Sequence, residues 1–272
     1  PLDRLGAVVV KSLFHEPWEG NPAPRVHLAQ GGMINAVGLQ GPGVVAWIHE
    51  SLPALEAANV TTVASIWGRT LHEYVLAANQ LRAAGQSISA IEVNLSCPNL
   101  EGRSGIIAHD PSLAGRIISA VCSESIVPVW AKLSANTDRV VEVSTAVRDA
   151  GASAITLINT MLGMQISTSS GRPSLGNGGG GLSGPAIRPI AIRAVHDVKA
   201  AMPDVDIIGV GGIASGNDAI EMMMAGARAV QVGTASFASP SAVWDIARDA
   251  AVRMKELGFS SWADVVGCVH RL

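Results

Sequence analysis

The sequence predicts an α/β fold of the (β/α)₈ TIM-barrel class, and three observations lead to this prediction. Seven short runs rich in Val and Ile alternate with helical stretches, which is the order of a parallel sheet. The runs are almost continuously apolar, as strands buried on both faces are. Polar residues follow nearly every run, and strand ends of a barrel converge on one face. The predicted strands are 6–12, 61–68, 90–96, 127–134, 154–160, 206–212 and 229–235.

Helices are predicted between these strands, and residues typical of helix ends support them. Asp110 with Pro111, and Asn217 with Asp218, are typical of helix starts. Glycines stand where three of the helices should end, as expected of helix C-termini. The helices are predicted near 70–84, 111–124, 138–150, 185–202, 215–226 and 240–257, and the segments 13–45 and 168–184 are predicted to be long loops.

Seven strands are one short of a closed eight-stranded barrel. The chain opens at Pro1 directly into a strand, so the missing βα unit is expected to precede residue 1. An open doubly wound sheet is the alternative, but it would divide into halves and gather its polar residues at one switch point. The even repeat of strands and polar ends favours the barrel. We expect residues 1–272 to form a single domain.

Composition excludes several classes of protein. The chain has 272 residues, 48% of them hydrophobic and 15% charged, with a net charge of −3, so no basic nucleic-acid-binding face is expected. No apolar run approaches the roughly 18 residues of a membrane helix, and no signal-peptide pattern is present. The three cysteines, Cys97, Cys122 and Cys268, lie far apart, which argues against disulfides, zinc or an iron–sulfur cluster and favours the reducing cytoplasm.

Glycine turns at the ends of the last two predicted strands indicate a phosphate site. The segment GVGGIA, 209–214, matches a dinucleotide-binding pattern, but the next strand offers no acidic residue about 20 positions later. Backbone N–H groups at Gly211, Gly212, Gly233 and Thr234 can instead hold a phosphate, as such turns commonly do in barrels. The alternative is that both are tight turns without a ligand.

Cys97 is the strongest candidate for a catalytic residue. It follows a predicted strand in the segment IEVNLSCPNLEG, where Asn94 and Asn99 place amide donors and acceptors beside a thiol. A buried structural cysteine would not need these neighbours. This pattern suits a planar substrate with amide and carbonyl edges.

Other polar residues at strand ends extend the candidate site. Lys11 and Lys132 each end an apolar strand, where a lysine is costly unless it is paired or reaches the rim. Either could form a Schiff base, or place positive charge against a flavin or a phosphate. Asn35, Asn159 and Thr160 are also polar in apolar surroundings and together suggest a hydrogen-bonding cage.

The combined motifs resemble those of the dihydroorotate dehydrogenases, specifically the B-type branch of class 1. The resemblance covers essentially the whole chain in order, and Cys97 occupies the position where class 2 enzymes carry serine. It is carried by VVVKS, MINAVGLQGPG, VNLSCPN, VWAKLS, TLINTMLGM, GGGLSGPAI, IIGVGGIASGNDAIEMMMAGA and VQVGTASF.

This resemblance implies FMN-dependent oxidation of dihydroorotate to orotate in the synthesis of UMP. Cys97 would be the general base that takes the C5 proton, while hydride leaves C6 for N5 of FMN. Lys11 would lie between flavin and substrate, and Lys132 beside the N1/O2 edge of the flavin. The substrate would be held by Lys11, Asn35, Asn94, Asn99, Asn159 and Thr160, and the cofactor by Lys11, Ser12, Asn94, Lys132, Ile158, Ser183, Gly184, Gly211, Gly212, Gly233 and Thr234.

The resemblance also implies partners. The chain has no cysteine cluster, which fits the B-type pattern in which a separate subunit with FAD and a 2Fe–2S cluster passes electrons to NAD⁺; a homodimer of the catalytic subunit is expected as well. Two other readings stay open from the residues alone. One is a Schiff-base phosphosugar lyase or isomerase that uses Lys11 or Lys132, and the other is an inactive barrel that serves as a binding scaffold.

Overall fold

The computed structural model describes residues 2–96 and 106–271. All seven predicted strands are present, with trimmed ends. The described part of the chain forms eleven strands: β1 (Val8–Val9), β2 (Val26–Ala29), β3 (Gly32–Asn35), β4 (Thr62–Ile66), β5 (Ala90–Asn94), β6 (Val129–Leu133), β7 (Ala154–Leu157), β8 (Met161–Gly163), β9 (Gly180–Ser183), β10 (Ile207–Val210) and β11 (Ala229–Gln231).

Seven strands form one sheet whose order follows the chain: β1-β4-β5-β6-β7-β10-β11. The pairs β1 with β4, β4 with β5, β5 with β6, and β10 with β11 are parallel. A doubly wound sheet reverses its strand order at a switch point, and these described strands contain no reversal. The predicted α/β fold of the TIM-barrel class is therefore confirmed, and the doubly wound alternative is wrong.

All six predicted helices are present, and their caps explain where they begin. Thr70 and Glu73 form a reciprocal capping box at α3, Asp110 caps α4 and Ser215 caps α7. The cap of α7 thus lies two residues before the predicted Asn217 signal. The helices are α1 (Val44–Glu50), α2 (Leu52–Ala57), α3 (Leu71–Leu81), α4 (Pro111–Glu124), α5 (Val140–Asp149), α6 (Arg188–Ala201), α7 (Gly216–Met224), α8 (Ala235–Ala238), α9 (Ala242–Glu256) and α10 (Trp262–Val265).

The chain divides into two compact units. The first unit comprises Pro1–Asn21, Gly38–Leu133 and Glu142–Ile155, and the second comprises Pro22–Val37, Ser134–Val141 and Thr156–Leu272. In the first unit, α3 packs on β4 and α4, and α4 packs on β6. In the second unit, α6 and α7 pack on β10, and α7 also packs on α9 and β11.

A small antiparallel sheet in the second unit was not predicted. Its order is β2-β3-β9-β8, and it uses parts of both segments that were predicted to be loops. The loop prediction was wrong there. β9 reads GGLS and carries almost no strand propensity of its own, so its pairing depends on partners distant in sequence.

An aromatic cluster at the carboxyl end of β4 completes the first unit. The rings of Phe14 and Trp67 are stacked with centroids 4.6 Å apart, and Trp18 meets Trp67 edge-on at 5.6 Å. The Arg69 guanidinium lies 4.8 Å from the Trp18 ring. Glu73 holds Arg69 in place, because Glu73 Oε1 lies 2.7 Å from the Nη2 atom of Arg69. The cluster combines aromatic packing with a cation–π contact.

Candidate active-site residues and family membership

One face of the parallel strands in the first unit is polar. Residues at matching register in a parallel sheet point to the same face, and successive residues alternate between faces. Ser65 is in register with Glu92, and Asn94 with Lys132, so these four side chains share one face. Val93 points to the opposite face and is fully buried. The strands therefore present an apolar side to the helices and a row of polar groups on the other side.

Hydrogen bonds join three of the polar side chains near the strand ends. Ser12 Oγ lies 2.9 Å from Ser65 Oγ, and Asn94 Nδ2 donates to Ser12 Oγ at 3.4 Å. Asn94 is only 7% exposed, and the Tyr74 hydroxyl donates to its carbonyl oxygen at 2.7 Å. Ser12 and Asn94, both predicted to contact the flavin, are thus brought together.

The two candidate lysines lie in different surroundings. Lys132 Nζ is 3.4 Å from Glu92 Oε1, and the side chains are 20% and 1% exposed respectively. A lysine at the end of an apolar strand is costly unless it is paired, and the Glu92 carboxylate supplies that partner. Lys11, two residues beyond the end of β1, is exposed. The pairing of Lys132 means that its ammonium group is held at β6 instead of extending freely into solvent.

Cys97 and Asn99, the predicted general base and one of its amide neighbours, lie outside the described residues. The chain on both sides of this segment is anchored at the end of β5. Leu95 N donates to Lys132 O at 3.1 Å, and Ala108 N donates to Leu95 O at 2.9 Å. The chain therefore leaves and returns at the same strand end, beside Lys132.

In the second unit, two predicted substrate-binding residues, Asn35 and Thr160, lie against Gly181. Asn35 Nδ2 donates to Gly181 O at 3.3 Å. A Cβ atom at Gly181 would lie 2.1 Å from Thr160 Oγ1, so only glycine permits this approach. Thr160 N in turn donates to Asn159 Oδ1 at 2.7 Å. Asn35 and Thr160 thus both lie against Gly181, and Asn159 is bonded to Thr160, while the cage that these three residues were predicted to form stays a prediction.

Asn136 fixes the segment that carries Asn159 and Thr160. Its Nδ2 atom donates to Thr160 O at 3.0 Å and to Ser134 Oγ at 2.8 Å. Its Oδ1 atom accepts from Leu162 N at 2.8 Å. One side chain thus holds the backbone on both sides of residue 161.

The glycine turns after β10 and β11 offer backbone donors. Gly211 and Gly212 have φ of 132° and 76°, and a Cβ atom at Gly212 would lie 2.6 Å from the Cβ atom of Arg188. Among the described residues, the N–H groups of Gly212, Gly233 and Thr234 donate to no backbone carbonyl. Free N–H groups in glycine turns are suited to oxyanions.

The remaining predicted cofactor residues lie beside these turns. Thr234 Oγ1 donates to Ser183 Oγ at 2.8 Å, and a Cβ atom at Gly184 would lie 3.5 Å from Thr234 Cγ2. The buried Ile158, whose peptide bond to Leu157 is cis, donates its N–H to Val210 O at 2.8 Å. Ser183, Gly184 and Thr234 therefore form one group, while Ile158 lies next to the end of β10.

Two titratable groups of the first unit, Glu73 and His109, have shifted pKa values. Burial acts to raise the pKa of Glu73, but hydrogen bonds from the side chain and backbone of Arg69 outweigh it and hold the pKa below its usual 4.5. Burial lowers the pKa of His109, which follows the segment containing Cys97. His109 is therefore neutral at pH 7, and Glu73 is ionised.

Four residues of these groups escaped the sequence prediction: Ser65, Glu92, Asn136 and Gly181. Glu92 could have been found, since a carboxylate inside the apolar run AIEVNLS needs a partner as much as the lysines do. Nothing in the local sequence marks Asn136 or Gly181, because their contacts are with segments distant in the chain.

The described residues contain no helix long and apolar enough to cross a bilayer. Nor do they contain a group of three His, Cys, Asp or Glu side chains placed to bind a metal ion.

Comparison with known proteins identifies the family. A sequence model of dihydroorotate dehydrogenase matches residues 1–254. The chain belongs to the dihydroorotate dehydrogenase family. It is 43% identical over 268 residues to the "Dihydroorotate dehydrogenase B (NAD(+)), catalytic subunit" of Geotalea uraniireducens, covering 98% of this chain and 87% of that relative. Equally named proteins of Pelobacter propionicus (43% over 269 residues, 99% and 88%) and a Geobacillus species (42% over 266 residues, 98% and 84%) are similarly close.

The predicted resemblance is therefore confirmed, including its B-type branch, since these relatives of the family carry the B designation.

Proposed function

We propose that this protein is an oxidoreductase that oxidises dihydroorotate to orotate in pyrimidine biosynthesis. Within the known family, the observation that supports this assignment best is the cage around Gly181. There, Asn35 Nδ2 donates to Gly181 O, Thr160 occupies the space that a side chain at residue 181 would need, and Thr160 N donates to Asn159 Oδ1. Amide and hydroxyl groups match the alternating N–H and C=O edges of a dihydropyrimidine ring.

FMN is the proposed cofactor, and the residues present fit it. A phosphate needs N–H donors without backbone partners, and the turns at Gly212, Gly233 and Thr234 offer them. The hydroxyl groups of Ser183 and Thr234 lie beside these turns. The proposed cofactor-binding residues are Lys11, Ser12, Asn94, Lys132, Ile158, Ser183, Gly184, Gly211, Gly212, Gly233 and Thr234.

The chemistry that FMN supplies when bound is acceptance of a hydride from the substrate. Cys97 is proposed to remove the proton from substrate C5 as general base. A thiol with an ordinary pKa of about 8.5 works best when hydrogen-bond donors or a nearby cation favour the thiolate. Asn94 and Asn99 flank Cys97 in sequence, and Lys11 is the proposed cation. The substrate ring is oriented by the residues proposed to bind it, which are Lys11, Asn35, Asn94, Asn99, Asn159 and Thr160.

The proposal includes a protein partner. The relatives are named as catalytic subunits of an NAD⁺-dependent enzyme, so we propose a second subunit, with FAD and a 2Fe–2S cluster, that passes electrons to NAD⁺. A homodimer of this chain and a single FMN-binding domain over residues 1–272 belong to the same proposal. A cytoplasmic location is supported by the free thiols of Cys122 and Cys268.

An absorption spectrum of the purified protein, followed by anaerobic addition of dihydroorotate, tests the proposal. We expect flavin bands near about 370 and 450 nm that bleach with substrate. A colourless protein that cannot be reconstituted with FMN would contradict it and favour a binding scaffold. Trapping of a sugar phosphate on the protein by borohydride would favour a Schiff-base enzyme instead.

The role of Cys97 is tested by Cys97→Ala, with Cys122→Ala as the matched control. We expect Cys97→Ala to retain FMN but lose most turnover, and Cys122→Ala to keep both. Wild-type turnover should rise toward alkaline pH, because the thiolate is the active base. Near-normal turnover of Cys97→Ala would overturn the assignment.

A further inference from the structure

The Glu92 carboxylate is buried at a place where the proposed mechanism gives it no task. Its side chain is 1% exposed on the central part of β5, and its Oε1 atom lies 3.4 Å from Lys132 Nζ. An ionised carboxylate without a partner is strongly disfavoured in such surroundings. A structure built only for stability would gain as much or more from an apolar pair at these positions. The ion pair therefore needs an explanation beyond packing.

The sheet register places this pair at the polar face of the first unit. Lys132 is in register with Asn94, and Glu92 lies one side-chain layer deeper on the same face, in register with Ser65. The ammonium group is the more exposed member, at 20%, and the carboxylate is the enclosed one. The arrangement is directional, because the negative charge lies behind the positive charge as seen from the strand end.

We propose that Glu92 is a positioning residue for Lys132. The Glu92 carboxylate fixes the Lys132 ammonium group at the end of β6 and offsets part of its positive charge. This inference rests on the proposed function, in which Lys132 lies beside FMN. Reduction of a flavin adds negative charge, so the ammonium favours the reduced state and the carboxylate behind it moderates that effect. Glu92 thus sets the reduction potential of the bound cofactor through Lys132.

The test is the midpoint potential of bound FMN, titrated with dithionite against a reference dye in holoenzyme variants. Glu92→Gln keeps the size of the side chain and removes its charge. We expect its ratio of reduced to oxidised FMN at a fixed ambient potential to rise about tenfold, which is about 30 mV for a two-electron couple. Glu92→Asp, which keeps the charge, should remain closer to wild type. Glu50→Gln removes a carboxylate from an exposed position of α1 and should leave the potential unchanged.

The double variant distinguishes positioning from a purely structural role. If Glu92 acts on the flavin through Lys132, its charge has no ammonium group to act through once Lys132 is replaced, so Lys132→Met and Lys132→Met with Glu92→Gln should show equal potentials. If Glu92→Gln alone does not fold, this second comparison carries the test. In the FMN-free protein, urea unfolding should show that the double variant is destabilised less than the sum of the single variants.

The outcomes separate this inference from the function beneath it. A wild-type protein that cannot hold FMN overturns both. A yellow wild-type protein whose potential is the same in Glu92→Gln overturns the inference alone, as do unequal potentials in the Lys132→Met pair.

Discussion

Removal of the Asn136 side chain should destabilise the second unit and loosen the proposed substrate cage. Its three side-chain hydrogen bonds, to Ser134 Oγ, Thr160 O and Leu162 N, measure 2.8, 3.0 and 2.8 Å. Each such bond contributes about 0.5–1.5 kcal/mol net. Leu162 is exposed, so in Asn136→Ala water can accept from its N–H in place of the Asn136 oxygen. The expected loss in the free energy of unfolding is therefore about 2–3 kcal/mol.

Urea unfolding followed by circular dichroism measures this loss. Asn136→Asp keeps the acceptor for Leu162 N but loses both donations of Nδ2 and brings a carboxylate oxygen to Thr160 O, so it should lose about as much as Asn136→Ala. Asn79→Ala is the matched control, because Asn79 makes an exposed hydrogen bond to Glu124 that should contribute less than about 0.5 kcal/mol.

The same variants report on binding. Because Asn136 holds the carbonyl of Thr160, orotate should bind Asn136→Ala more weakly, while FMN affinity stays near that of wild type. The reasoning is refuted if Asn136→Ala unfolds within about 0.5 kcal/mol of the wild-type free energy and binds orotate normally.

Three further variants test other contacts. Gly181→Ala should cost about 2–3 kcal/mol in urea unfolding, because its Cβ atom would overlap Thr160 Oγ1. Gly233→Ala is the control, because a Cβ atom at Gly233 meets nothing within 4 Å, and equal losses in the two variants would contradict the prediction. Glu73→Gln should flatten the dependence of the unfolding free energy on acid pH. The pKa of Glu73 in the folded protein lies below 4.5, so the ionised carboxylate stabilises the wild type above that value and the contribution is lost as pH falls through the folded pKa. Parallel plots of unfolding free energy against pH for the variant and the wild type would disprove this. Tyr74→Phe should cost about 1–2 kcal/mol, since it leaves the buried Asn94 carbonyl without its 2.7 Å donor, and a neutral result in the same unfolding assay would refute that.

The sequence was sufficient for the parallel sheet and for the position of polar residues at the ends of its strands, because both depend on local patterns. Apolar runs such as AIEVNLS identified strands whose order then followed the chain. The antiparallel sheet was missed because GGLS becomes a strand only through its neighbours β3 and β8. For the same reason Asn136 was missed, since its bonds to Thr160 and Leu162 join segments more than 20 residues apart. The roles predicted for Cys97 and for the other candidate site residues stay predictions.

The stacked indole and phenyl rings at the end of β4 also give the first unit an optical signature. Trp67 is 3% exposed, and the centroid of its ring lies 4.6 Å from that of Phe14 and 5.6 Å from that of Trp18. Aromatic chromophores held so close in a fixed, asymmetric arrangement produce strong near-ultraviolet circular dichroism. Melting of the first unit would erase that band even while the helices of the second unit still absorb in the far ultraviolet. The second unit contains Trp244 and Trp262, so it is the loss of this cluster's own near-ultraviolet contribution that reports unfolding of the first unit.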